Sequence, residues 1–162
     1  VPIFWTPVHN RSGDMHRILR GQPSGPRLAA EPEIAMFRFL TPKSIKPPFA
    51  RYSHGVEVPA GKRLVLCSGQ VAITADDQIP EDAGAQAELC FQNIAAVLAE
   101  AGLGLSDIVR INAYVTDRAH LRPYMDVRDR LFTSPAPAST LMIVSGFARP
   151  EFKVEIEAIA AG

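Results

Sequence analysis

Over residues 81–101 the apolar side chains of Ala83, Ala87, Cys90, Ile94, Val97, Leu98 and Ala101 recur at three- and four-residue steps. That period lines them along one face of a helix. Glu81 and Asp82 suit the positive end of the helix dipole, and Gly102 supplies the stop. A helix of this length with one apolar face has to cover something, and its neighbours read as strands. Residues 52–58 and 63–68 predict two strands around Pro59-Ala60-Gly61, a hairpin turn. In residues 108–116, Val109, Ile111, Ala113 and Val115 alternate with Arg110, Asn112, Tyr114 and Thr116. Asp117 opens a second helix to about Phe132, with Leu121, Tyr124, Met125, Arg128, Leu131 and Phe132 spaced for it and Pro123 confined to its first turn. Residues 140–144 and 152–160 close the pattern, and in the last strand Phe152, Val154, Ile156 and Ala158 oppose Lys153, Glu155 and Glu157.

The resulting order is β-β-α-β-α-β-β. Helices between strands call for crossovers onto one sheet, with both helices on one face. The other face carries Arg110, Asn112, Tyr114 and Glu155. A solvated strand face and an oligomer interface enclosing a cleft both fit that mixture.

The chain has 162 residues, enough for one domain with a sizeable core. Seventeen basic and 17 acidic residues cancel, which gives no support for bulk nucleic-acid binding. The balance is uneven along the chain: residues 1–50 carry seven basic and three acidic side chains. No periodicity persists through the first 35 residues, where Gly21, Pro23, Gly25 and Pro26 interrupt any helix. We therefore expect an irregular extension over residues 1–45 and a folded domain over 46–162. No continuous apolar centre marks a secretory signal, and no apolar run reaches the length of a membrane span. These readings point to the cytoplasm and away from a membrane partner. Cys67 and Cys90 lie in apolar contexts and read as buried free thiols. No zinc-spaced Cys/His cluster, Gly-rich phosphate loop or G-x-S-x-G is present.

Several short stretches occur in a telling order: Tyr52-Ser53-His54-Gly55-Val56, Cys67-Ser68-Gly69-Gln70, Gln86 with Asn93-Ile94, Ala101-Gly102-Leu103, Ser106-Asp107-Ile108-Val109, and Lys153-Val154-Glu155-Ile156-Glu157-Ala158-Ile159-Ala160. Together they resemble the RidA/YjgF family of reactive-intermediate deaminases, also labelled L-PSP endoribonucleases, over about 70% of the chain. The resemblance implies an α+β, chorismate-mutase-like fold with a mixed sheet. It also implies a homotrimer with ligand clefts between subunits, and hydrolysis of enamines or imines to a carbonyl compound and ammonia with neither a metal nor an organic cofactor, in keeping with the motifs the chain lacks.

Carried over position by position, the resemblance makes Glu155 the carboxylate that directs water, with Tyr52 and Ser68 beside it as catalytic and binding groups. Gly69 follows Ser68, and His54 shares a strand face with Tyr52. Each also has a plain structural reading: Glu155 as a solvated strand residue, Tyr52 and His54 as interface side chains, Ser68 as part of a tight turn. The family's Pro-Ala-Arg-Ser motif clamps a substrate carboxylate with its arginine. Here it reads Pro137-Ala138-Ser139-Thr140, placing Ser139, or Ala138 if the gap shifts, where the arginine would stand. Met125 stands where the family often has asparagine, and it reads equally as a core methionine. Arg149 is the first cation that follows the altered motif in sequence.

The expectation is therefore an arginine-less deaminase acting on a substrate other than the usual small 2-imino acids. A non-catalytic trimer that binds a small molecule or a partner protein is the alternative. Endoribonuclease activity ranks below both, because no basic-aromatic platform is visible and no nucleic-acid partner is expected.

Overall fold

The computed structural model describes residues 36–162, so readings on residues 1–35 lie outside the described residues. Helix α1 spans Ala83–Glu100. It starts two residues later than the periodicity suggests because Asp82 acts as its cap, accepting from Ala85 N at 2.8 Å. Gly102, at φ +70°, ends it in the left-handed region.

Four strands form the main sheet: β3 (Leu64–Val71), β4 (Ile108–Val115), β5 (Ala138–Ile143) and β6 (Val154–Ala161), in spatial order β3-β6-β4-β5. β6 lies antiparallel to both neighbours, while β4 and β5 are parallel. A parallel pair needs a crossover. A short 3₁₀ turn, Arg118–His120, and helix α2, Leu121–Leu131, provide it. This mixed sheet with two helices is the α+β architecture that the sequence led us to expect.

Alternation decides which residues meet the helices. Ile111, Ala113, Val154, Ile156 and Ala158 point into the core. From α1 come Cys90, Phe91, Ile94 and Leu98, and from α2 come Tyr124 and Val127. Phe91 joins the two helices, stacking on Tyr124 at 6.4 Å and meeting Phe132 edge-on at 5.3 Å. Gln86 is buried and serves as a polar staple. Its Nε2 donates to Pro80 O (2.7 Å) and Glu151 O (2.9 Å), and its Oε1 accepts from Lys153 N (2.7 Å).

On the opposite face Glu157 accepts from Asn112 Nδ2 (3.2 Å) and the Tyr114 hydroxyl (3.1 Å). Arg110 donates to Asn112 Oδ1 (2.9 Å) and Thr140 Oγ1 (2.6 Å). Leu64 and Leu66, on β3, remain 55% and 70% exposed.

One pairing differs from expectation. The strand after Tyr52 is only β2, Gly55–Glu57, and it pairs antiparallel with β1, Arg38–Leu40, rather than with β3. Pro59–Gly61 thus links two sheets and closes no hairpin. β3 instead pairs with β6 through one edge, reinforced by reciprocal bonds between Arg63 and Gly162 (3.0 and 3.1 Å), while β2 follows the chain that Ser53 ties to Pro137 and Ala138. Ordered strand structure therefore begins before Lys46, inside the stretch read as irregular.

Candidate functional site

The residues singled out by sequence fall into two groups. The first is built around Tyr52. Ser53 N donates to Pro137 O (3.1 Å) and Ser53 Oγ to Ala136 O (2.7 Å), while Ser53 forms a parallel bridge to Ala138. These bonds hold Tyr52 beside the start of β5, and hence beside Ser139. Phe49 and His54 each meet the Tyr52 ring edge-on at 5.8 Å. His54 thus shares a face with Tyr52, as alternation implied. Its Nε2 pairs with Lys46 O at 3.0 Å, and it does not line the cleft.

The cleft itself has a volume of about 580 Å³. Tyr52, Met125, Ser139 and Arg128 line it together with the apolar side chains of Phe49, Leu121, Leu141 and Ile143. Met125 packs partly against the core and also lines the cleft.

The second group is built on β3 and β6. The register between these strands shifts from Cys67 to Gln70, so Ser68 and Gly69 lie in an irregular stretch opposite β6. The Glu155 side chain folds across Gly69. A Cβ on Gly69 would meet Glu155 Cδ at 2.8 Å and Cγ at 3.1 Å, with Oε1 closer still. Glycine is required here for close approach, not for a special backbone angle. Glu155 pairs in register with Tyr114 on β4. Burial, with a further contribution from the Glu155 charge, pushes the Cys90 thiol up to about 12. Burial also raises the Cys67 thiol. Both cysteines are free and buried, as their sequence contexts suggested. Ser68 lines a separate depression with Leu66, Arg110, Asn112 and Glu157.

A single chain thus brings Tyr52, Met125 and Ser139 to one cleft and sets Ser68, Gly69 and Glu155 apart from it. Arg149 does not line the cleft: its Nη1 pairs with Asp77 Oδ1 at 3.1 Å and its guanidinium lies over Phe152.

The cation that does reach the cleft is Arg128, which sequence reading passed over. It is 3% exposed. The available signal was its position on the apolar face of α2, where a charge is out of place unless something receives it. Four residues before it lies Tyr124, fully buried, whose hydroxyl burial pushes up to about 12. Among the described residues no group of three or more His, Cys, Asp or Glu side chains is placed to hold a metal ion. None of the described helices is long and apolar enough to cross a membrane.

With this geometry in place, the chain can be compared with known proteins. The model of the family described as endoribonuclease L-PSP matches residues 43–162. Protein DfrA of Myxococcus xanthus is 40% identical over 121 residues, covering 74% of this chain and 88% of that protein. A protein of Escherichia coli K12 named "Putative reactive intermediate deaminase TdcF" is 29% identical over 113 residues, covering 67% and 84% of the two chains. Among solved structures, a Yersinia pestis protein of the conserved Rid family, YyfB, described as of unknown function, superposes with a TM-score of 0.69. It has 31% identity and covers 78% of this chain and 98% of its own.

Proposed function

Since the chain belongs to the endoribonuclease L-PSP family, the family of RidA and YjgF, we propose that it is an enamine and imine deaminase. The observation that carries this reading is the Glu155 carboxylate folded across Gly69, next to Ser68. The name of the TdcF relative supports it.

In the proposed reaction water adds to the imine carbon as the nitrogen takes up a proton. The carbinolamine hydroxyl then gives up its proton, the amine nitrogen gains one, and the C–N bond breaks, leaving a carbonyl compound and ammonia. Glu155 accepts the proton of the attacking water, as a positioned general base. Tyr52 and Ser68 donate hydrogen bonds to the substrate. Tyr52 and Glu155 lie in separate groups on one chain, so the complete site would form between subunits. A homotrimer is our proposal for that assembly, and the exposed Leu64 and Leu66 beside a polar strand face suit such an interface.

Ser139 in the arginine position argues against the usual small 2-imino acids as substrates, because serine cannot form the bidentate clamp. We place the protein in the cytoplasm on its sequence, although relatives in fission yeast carry mitochondrial names. The same serine favours a second reading, a non-catalytic trimer that binds a metabolite.

Ammonia release from freshly generated imines, some carboxylated and some neutral, separates the two readings. The deaminase reading expects turnover that Glu155→Ala abolishes. Absence of turnover on every imine by folded protein would leave the binding reading.

A further inference from the structure

We propose that Arg128, Tyr124 and Ser139 form a carboxylate-binding site at the foot of the cleft, and that the apolar walls above it select ligands carrying an apolar chain. The clamp missing from β5 is in this view supplied from α2. The inference deepens the deaminase reading by naming its substrate class, and it rests on that reading only for what happens after binding.

Three observations converge on this position. First, Arg128 is too buried for a surface ion pair. Its Nε and Nη2 donate to a single oxygen of Asp129, at 2.9 and 2.7 Å. The Arg128 side chain is 4% exposed and that of Asp129 36%, so the carboxylate keeps access to water while the guanidinium has almost none. A guanidinium carries five N–H donors. Nη1 makes no hydrogen bond among the described residues.

Second, two more polar atoms lie unpartnered beside it. The Tyr124 hydroxyl and Ser139 Oγ are both buried, and neither has a hydrogen-bond partner among the described residues. Tyr124, which lies against Ser139 and Arg128, is itself fully buried. Buried polar groups are almost always paired, so two unpartnered hydroxyls beside a guanidinium with a donor to spare are unusual for pure packing. Each of the three side chains carries an N–H or O–H donor.

Third, the surroundings sort the ligand. Phe49, Leu121, Met125, Leu141 and Ile143 line the same cleft. A small polar acid would leave those walls wet, whereas an acid with an aliphatic or aromatic chain would cover them. The charged groups near Arg128 are Asp129 and Arg51, whose Nη1 donates to Asp129 O. Asp129 competes for part of the guanidinium and leaves Nη1 available.

The test is calorimetric binding of 4-methyl-2-oxopentanoate, a carboxylate with a branched apolar chain, to the full chain. Pyruvate and the neutral ketone 4-methyl-2-pentanone serve as comparisons. The branched acid should bind at least about 10-fold more tightly than pyruvate, and more tightly than the ketone. Arg128→Gln should weaken it by about 10- to 100-fold and leave the ketone unaffected. Because Arg128→Gln leaves a polar group buried without its ion-pair partner, Met125→Glu provides a second perturbation. It sets a carboxylate one turn from Arg128 at a partly exposed position, and should also weaken the acid by about 10-fold or more. Unchanged affinity in both folded variants, or a ketone bound as well as the acid, would overturn the proposal. Ammonia release is read separately. Arg128-dependent binding without turnover would sustain this site and refute the deaminase reading, whereas turnover with Arg128-independent binding would do the reverse.

Discussion

Gly69→Ala isolates the Glu155 carboxylate from everything else in the fold. The new methyl would stand 2.8 Å from Glu155 Cδ and 3.1 Å from Cγ. Ordinary carbon–carbon contact is about 3.5–4.0 Å, so the carboxylate must withdraw by about 1 Å. Gly69 lacks a positive φ, so alanine fits its backbone. The side chain of Glu155 is flexible and can move at a cost of about 0.5–1.5 kcal/mol for an off-rotamer geometry. Replacing glycine within a strand returns a comparable amount through the unfolded chain. Stability should therefore change by less than about 1 kcal/mol. Turnover should not be so tolerant, because a displacement of about 1 Å at a reacting group costs up to 10²-fold. Thermal melting and steady-state ammonia release on the best imine give the two readouts side by side. The expected outcome is a melting temperature within a few degrees of the parent and kcat/KM lower by about 10- to 100-fold. A variant that melts normally and turns over at the parent rate would refute the placement of Glu155 at the chemistry.

Two further outcomes follow from the interior. Gln86→Ala leaves Pro80 O, Glu151 O and Lys153 N without their partner and should cost about 3 kcal/mol; a lowered urea midpoint at unchanged slope is the expected observation. Tyr124 is neutral in the fold up to about pH 12 but ionises near 10 when unfolded. The unfolded state therefore loses its proton first. The contribution is fully present below pH 10 and falls away as the pH rises toward 12, by about 2–3 kcal/mol in all. Tyr124→Phe should flatten that alkaline loss, and an unchanged pH profile in the variant would contradict it.

How much of this was legible beforehand varied with the range of the interactions. Helix α1 and strands β4 and β6 could be read from sequence because their burial follows a local period, with Ile111, Ala113 and Val115 or Val154, Ile156 and Ala158 on alternate residues. β1 and β2 have three residues each, too few to show a period, and their pairing joins segments on either side of a proline-rich loop. The approach of Tyr52 to Ser139 depends on Ser53 bonding to Ala136 and Pro137, more than 80 residues away. No local pattern encodes that contact. Arg128 was visible on the apolar face of α2, but only the fold shows that its guanidinium lies beside Tyr124 and the altered Ser139 instead of reaching water. Arg149, the first cation after the altered motif, is engaged with Asp77.

The function rests most directly on Glu155 acting as a base, since it is the group assigned a proton-transfer role. Glu155→Gln keeps the size and hydrogen-bonding shape of the side chain and removes its basicity. Measuring kcat and the Kd for 4-methyl-2-oxopentanoate in this variant tests that role without disturbing the fold. The expected result is a kcat lower by about 10²- to 10⁴-fold with a Kd within about threefold of the parent. A kcat equal to that of the parent enzyme would contradict it.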